Sequence, residues 1–156
     1  MMFGFAKPVP VNFHRLRSPR RDMILVAAAG PATNLIMATA AASLFHVLPI
    51  FSGMMRGWIQ LNLEAAVLIN LLLCVFNMLP MPPLDGGRIA VGILPRTLAA
   101  PLARLERVGV LIILGGVFLL PWLGSKVGWD LDVFWWLVGQ PAIVLQKTVY
   151  SLTGVL

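Results

Sequence analysis

The stretch FNMLPMPPLDGGR, Phe76 to Arg88, decides how this chain must be built. An uncharged run from Ala65 to Leu84 leads through Pro82 and Pro83 directly into a carboxylate, Asp85. Taking a charged group out of water costs several kcal/mol unless a partner pairs with it or coordinates it. Two explanations follow from the residues. Pro82 and Pro83 stop one helix, and Asp85 followed by Gly86 and Gly87 starts another as its N-cap. Alternatively, a proline-broken helix holds the carboxylate at shallow membrane depth as a metal ligand.

Working outward, the run before Asp85 has the roughly 20 residues that a membrane-spanning helix needs. Met23 to Met55 also contains no Asp, Glu, Lys or Arg. The chain of 156 residues is 59% hydrophobic and 12% charged. An ordinary soluble domain carries about twice that charge, so the class is integral membrane protein. Val108 to Ser125 forms a third uncharged run, and Val133 to Leu156 is apolar apart from Lys147. The expected fold is therefore an all-α polytopic membrane bundle of about four transmembrane helices, near 23–47, 58–81, 107–123 and 133–152. Residues 1–22 form a basic, proline-containing loop before a membrane-embedded domain over 23–156.

The net charge of +6 points to orientation rather than nucleic acid, because the basic residues flank apolar spans. Lys7, Arg15, Arg17, Arg20 and Arg21 precede the first span, and Arg88, Arg96, Arg104 and Arg107 follow the second; the other loops carry Arg56 and Lys126. By the positive-inside rule, both termini and the Asp85 end of span two are cytoplasmic. The same alternation places all five tryptophans near the outer interface, where indole rings prefer to sit. Cys74, the single cysteine, excludes an internal disulfide.

Polar residues inside the spans are few. Span one carries Gly30, Pro31 and Asn34 among alanines, and Gly30 and Asn34 share a face. Small residues permit close helix approach, and a buried amide bonds a neighbouring helix or a substrate backbone. Asn70 and Asn77 are seven residues apart and lie on one face leading to Asp85. His14 and His46 flank span one, on the order of 30 Å apart, and cannot share a metal.

Taken together, AAAGPATN (Ala27–Asn34) and FNMLPMPPLDGGR, preceded by FGFAKPVPVN and PRRDM in that order, resemble the compact prokaryotic branch of the site-2 protease family of intramembrane zinc metalloproteases. The resemblance implies that Asp85 is the third ligand of one zinc ion and that Asn77 stabilises substrate or oxyanion. It implies that Gly30 and Asn34 line the substrate cleft, that the substrate is a transmembrane protein in a prokaryotic plasma membrane, and that lipid is the surrounding partner. The family's HExxH, which places two histidines on one helix face, does not occur in these 156 residues. The expectation is thus an N-terminally truncated chain, inactive alone because zinc takes about three protein ligands. The alternatives are a pseudoprotease that binds transmembrane helices and a small transporter-like bundle. Oligomerisation is left open.

Overall fold

The computed structural model describes residues 19–155, and every regular element among them is helical. His14 and most of the basic N-terminal loop lie outside the described residues. Helix α1 spans Pro19–Ser43 and continues as a 3-10 segment over Leu44–Ile50. Helix α2 spans Gly53–Asn77. Both begin about four or five residues earlier than hydropathy alone places them. Short helices α3 (Asp85–Ile93) and α4 (Arg96–Arg104) follow. The third apolar rod comprises α5 (Glu106–Leu114), a π turn (Gly115–Leu119) and α6 (Leu120–Val127). A second π turn (Trp135–Gly139) precedes α7, Gln140–Thr153.

Three rods are long and apolar enough to cross a membrane: Arg20–Ile50, Gly53–Asn77 and Glu106–Val127. The expected fourth is helical but does not join them. Gln140, Gln146 and Lys147 interrupt its apolar character. Both π turns end two residues before a proline, Pro121 and Pro141. A proline has no N–H to donate and crowds the carbonyl four residues back; widening the preceding turn relieves that clash without ending the helix.

The core forms where α1, α2 and α7 meet. Ala38, Ala41 and Ala42 of α1 pack with Val67 and Leu71 of α2 and Ala142 and Val149 of α7. Val67 and Leu71 are fully buried. Lipid tails are as apolar as leucine, so burial drives little here; close van der Waals contact across the alanine face holds the helices together.

The direction of α7 departs from the sequence expectation. Phe134 stacks against Phe76 at the deep end of α2, with ring centroids 6.3 Å apart. At the other end Tyr150 meets Phe45 edge-on, and His46 Nε2 donates to the Thr153 carbonyl at 2.7 Å. Helix α7 therefore runs alongside α1 in the same direction and finishes at the opposite end of the bundle from Arg20. A simple up-and-down alternation with both termini on one face does not describe it. At residues 128–132 Gly128 takes a left-handed conformation and Leu131 folds back onto Gly124, and the last helix starts beside Phe76. Trp136 sits by Val75 for the same reason, which removes Trp135 and Trp136 from the outer belt expected for all five tryptophans.

Candidate active site

Asp85 is the first residue of α3, and the N-cap position belongs to Leu84, with no side-chain cap hydrogen bond. The helix-cap explanation of Asp85 therefore fails. Its carboxylate turns instead toward α1: a Cβ built on Gly30 would lie 2.8 Å from Asp85 Oδ2. At the far end of α3, Gly92 abuts Ile24 and the Arg20 backbone. Helix α3 thus runs antiparallel along the first half of α1, with Asp85 at its inner end. Gly30 is ten residues beyond Arg20, so the carboxylate sits about 15 Å along α1 from that arginine. It is half-buried. The first-turn position also lets the α3 dipole favour its negative charge.

Glycines hold the connecting loop in place. A Cβ at Gly86 would overlap the Met78 backbone, one at Gly87 the Met81–Pro82 backbone, and one at Gly109 the Pro82 carbonyl. The segment Met78–Pro83, with a cis Pro82–Pro83 peptide, is thereby wedged between α3 and α5. Gly86, Gly87 and Gly109 are all buried.

Beside Asp85 lies a cavity of about 320 Å³ whose charged lining residues are Asp22, Asp85, Arg88 and Glu106, with Met23, Val26 and Pro82 among its apolar walls. Arg88 Nη2 and Glu106 Oε1 approach to 3.8 Å, both side chains half exposed, and join α3 to α5 at its rim. Sequence reasoning missed these three neighbours. Arg88 was accessible to it, since three residues after Asp85 is the same helix face. Asp22 and Glu106 reach the cavity only through tertiary packing.

The other predicted residues are placed as follows. Asn34 lies one turn beyond Gly30 on α1, and Asn77 is the last residue of α2; both are half-buried. Neither lines the cavity at Asp85. Counting about 1.5 Å per α residue and about 2.0 Å per 3-10 residue from the turn at Phe51, Asn77 falls near the level of Ala29 and Gly30. It therefore shares Asp85's depth. Asn70, expected on the same stripe, donates instead to Ala66 of its own helix at 2.8 Å. His46 is occupied by Thr153, far from Asp85.

Among the described residues no three His, Cys, Asp or Glu side chains come together in a way that would hold a metal ion. Asp85 offers a carboxylate of the right chemistry, set in a recess with open space beside it. That is one donor of the set that a zinc ion needs.

Residues 49–121 match the sequence profile of Peptidase family M50. The chain is 35% identical over 133 residues to a protein of Bacillus subtilis (strain 168) named "Putative zinc metalloprotease YwhC". That alignment covers 83% of this chain and 60% of the relative, so the chain spans less than two thirds of the relative's length. No solved structure matches it.

Proposed function

We propose, from its similarity to peptidase family M50, that this chain contributes part of the catalytic centre of an intramembrane zinc endopeptidase. Its substrate is a peptide bond in or beside a transmembrane segment of another protein, in a prokaryotic plasma membrane with the arginine-rich end of the bundle facing the cytoplasm. The observation that carries this reading is Asp85. A carboxylate recessed about 15 Å along α1, released from capping and facing a cavity, has the surroundings of a ligand rather than of a surface charge.

In this reading Asp85 is a zinc ligand, and bound zinc supplies Lewis acidity and a water acidic enough to attack near neutral pH. Asn77 donates from its side-chain amide to the substrate carbonyl, or to the oxygen on which negative charge develops. One such donor in a dry site contributes about 3 to 4 kcal/mol. Gly30 and Asn34 lie on the α1 face that forms the wall of the substrate cleft. The cis-prolyl loop and the glycines beneath it fix the depth of Asp85 against α1.

The remaining ligands and the general base belong to residues outside these 156, because the sequence has no HExxH to join Asp85. The 156-residue chain alone is then a partial site that binds zinc weakly and cleaves nothing. A pseudoprotease that only binds transmembrane helices is the second reading, favoured by the missing HExxH. Metal content and cleavage of a model transmembrane substrate decide between them. In a protein that includes an HExxH segment, one zinc per chain and loss of cleavage with Asp85→Ala, membrane insertion intact, are expected. Stoichiometric zinc and metal-dependent cleavage by the 156-residue chain alone would overturn this assignment of ligands. Absence of both from the extended protein would leave the helix-binding reading standing.

A further inference from the structure

We infer that Gly30 is a positioning residue for Asp85: the side chain it lacks is the space into which the carboxylate fits. The consequence for catalysis rests on the reading of Asp85 as a zinc ligand, whereas the geometry does not. A Cβ on Gly30 would lie 2.8 Å from Oδ2 and 3.8 Å from Cγ of Asp85. The first distance is shorter than real Cβ contacts, so one of the two groups must move.

What moves distinguishes this glycine from its counterparts. At Gly86, Gly87 and Gly109 the obstructing atoms include backbone of the Met78–Pro83 loop. A methyl there displaces the fold. At Gly30 both atoms within contact distance belong to the end of one short side chain. A methyl there rotates the carboxylate away and leaves helix packing as it was. Glycine is also a poor residue for the interior of a helix, and Gly30 directly follows Ala27, Ala28 and Ala29. Local propensity favours a fourth alanine, so the reason for glycine lies across the helix interface, where Asp85 is.

The chain contains only four aspartates, Asp22, Asp85, Asp130 and Asp132. Carbon-13 labelling of aspartate carboxyls in detergent micelles therefore gives four signals, and Asp85→Asn identifies the one of interest. Gly30→Ala is expected to shift the Asp85 signal and to leave those of Asp130 and Asp132 in place, with the unfolding temperature within about 4 °C of wild type. Gly57→Ala, where a Cβ meets nothing within 4 Å, should shift none. In the zinc-loaded protease that includes the histidine-bearing segment, Gly30→Ala should lower zinc affinity about 10- to 100-fold, as loss of ligand orientation does elsewhere. An unmoved Asp85 signal, an unfolded Gly30→Ala protein, or undiminished zinc affinity alongside loss in Asp85→Ala would each overturn the positioning role. Full zinc affinity in Asp85→Ala would instead overturn the ligand reading, with the carboxyl signal still deciding the geometry of Gly30.

Discussion

Gly109 and Gly116 are seven residues apart on the same helical rod, yet they face opposite situations. A Cβ at Gly109 would strike the Pro82 carbonyl and the Pro83 ring, whereas one at Gly116 would meet nothing within 4 Å. At the first position the rod is locked against the proline loop that carries Asp85. At the second it borders an apolar cavity of about 400 Å³, walled also by Phe76, Leu79 and Leu137. The same residue type thus gives a clamp near the start of the rod and slack at its middle. The difference lies in what stands opposite: backbone at Gly109, empty volume at Gly116. Close packing returns at Gly124, where a Cβ would meet the Trp129 carbonyl, so the slack is confined to the middle of the rod.

The largest expected effect is at the clamp. In Gly109→Ala the methyl has no flexible neighbour to push aside, and relief requires the Met78–Pro83 loop or α5 itself to move. Overpacking against backbone costs about 3 kcal/mol or more. Unfolding by heat or denaturant in detergent should show it as a strong loss of stability, together with loss of zinc from the extended protease. A near-wild-type transition for Gly109→Ala would mean that α5 can slide, and the contrast with Gly116 would vanish.

This contrast also separates what was legible in the sequence from what was not. The apolar runs around Val67 and Leu71 announced membrane helices because hydropathy is a local property, and the Pro-Pro-x-Asp order announced a broken helix with a charge behind it. Those two facts left a helix cap and a recessed ligand both open for Asp85, and only its approach to Gly30 in the folded chain separates them. The role of Gly109 was not legible, although an isolated glycine in an apolar helix is a signal of close packing. Nothing in the sequence says that its neighbour is Pro82, about twenty-seven positions away. The direction of α7 was hidden for a related reason. Hydropathy gives a rod without an arrow, and the arrow came from Phe134 meeting Phe76 and His46 meeting Thr153. Asn70, read as part of a polar stripe leading to Asp85, donates within its own helix instead, because a helix offers its own carbonyls one turn back.

A smaller effect is expected where the clamp is reinforced by charge. Arg88 and Glu106 approach to 3.8 Å at the rim of the Asp85 cavity, with both side chains half exposed. Such pairs contribute about 0 to 1 kcal/mol and weaken with salt. Arg88→Gln should therefore lower stability by no more than about 1 kcal/mol at low ionic strength, with the difference from wild type shrinking as salt is raised. A loss comparable to that of Gly109→Ala would show that the ion pair, and not the glycine contact, locks α5 to the loop.

The smallest effect belongs to the slack middle of the rod, and it should carry the opposite sign. Gly116→Ala places a methyl group toward open volume, so no neighbour has to yield. Replacing glycine by alanine in a helix interior removes conformational freedom from the unfolded chain and is worth about 0.5 to 1 kcal/mol. The π turn over Gly115–Leu119 tempers this gain, since its wider geometry is not the α-helix in which that preference is measured. The expected outcome is a stabilisation at or below about 0.5 kcal/mol, seen as an unchanged or slightly raised unfolding temperature. Slower hydrogen exchange should be confined to Leu114–Leu120. Exchange at the Met78–Pro83 loop should stay as in wild type, because Gly109 and Gly116 meet different neighbours. Destabilisation by this methyl, or protection spreading back to the proline loop, would mean that the cavity closes in the membrane and that the rod is clamped along its length.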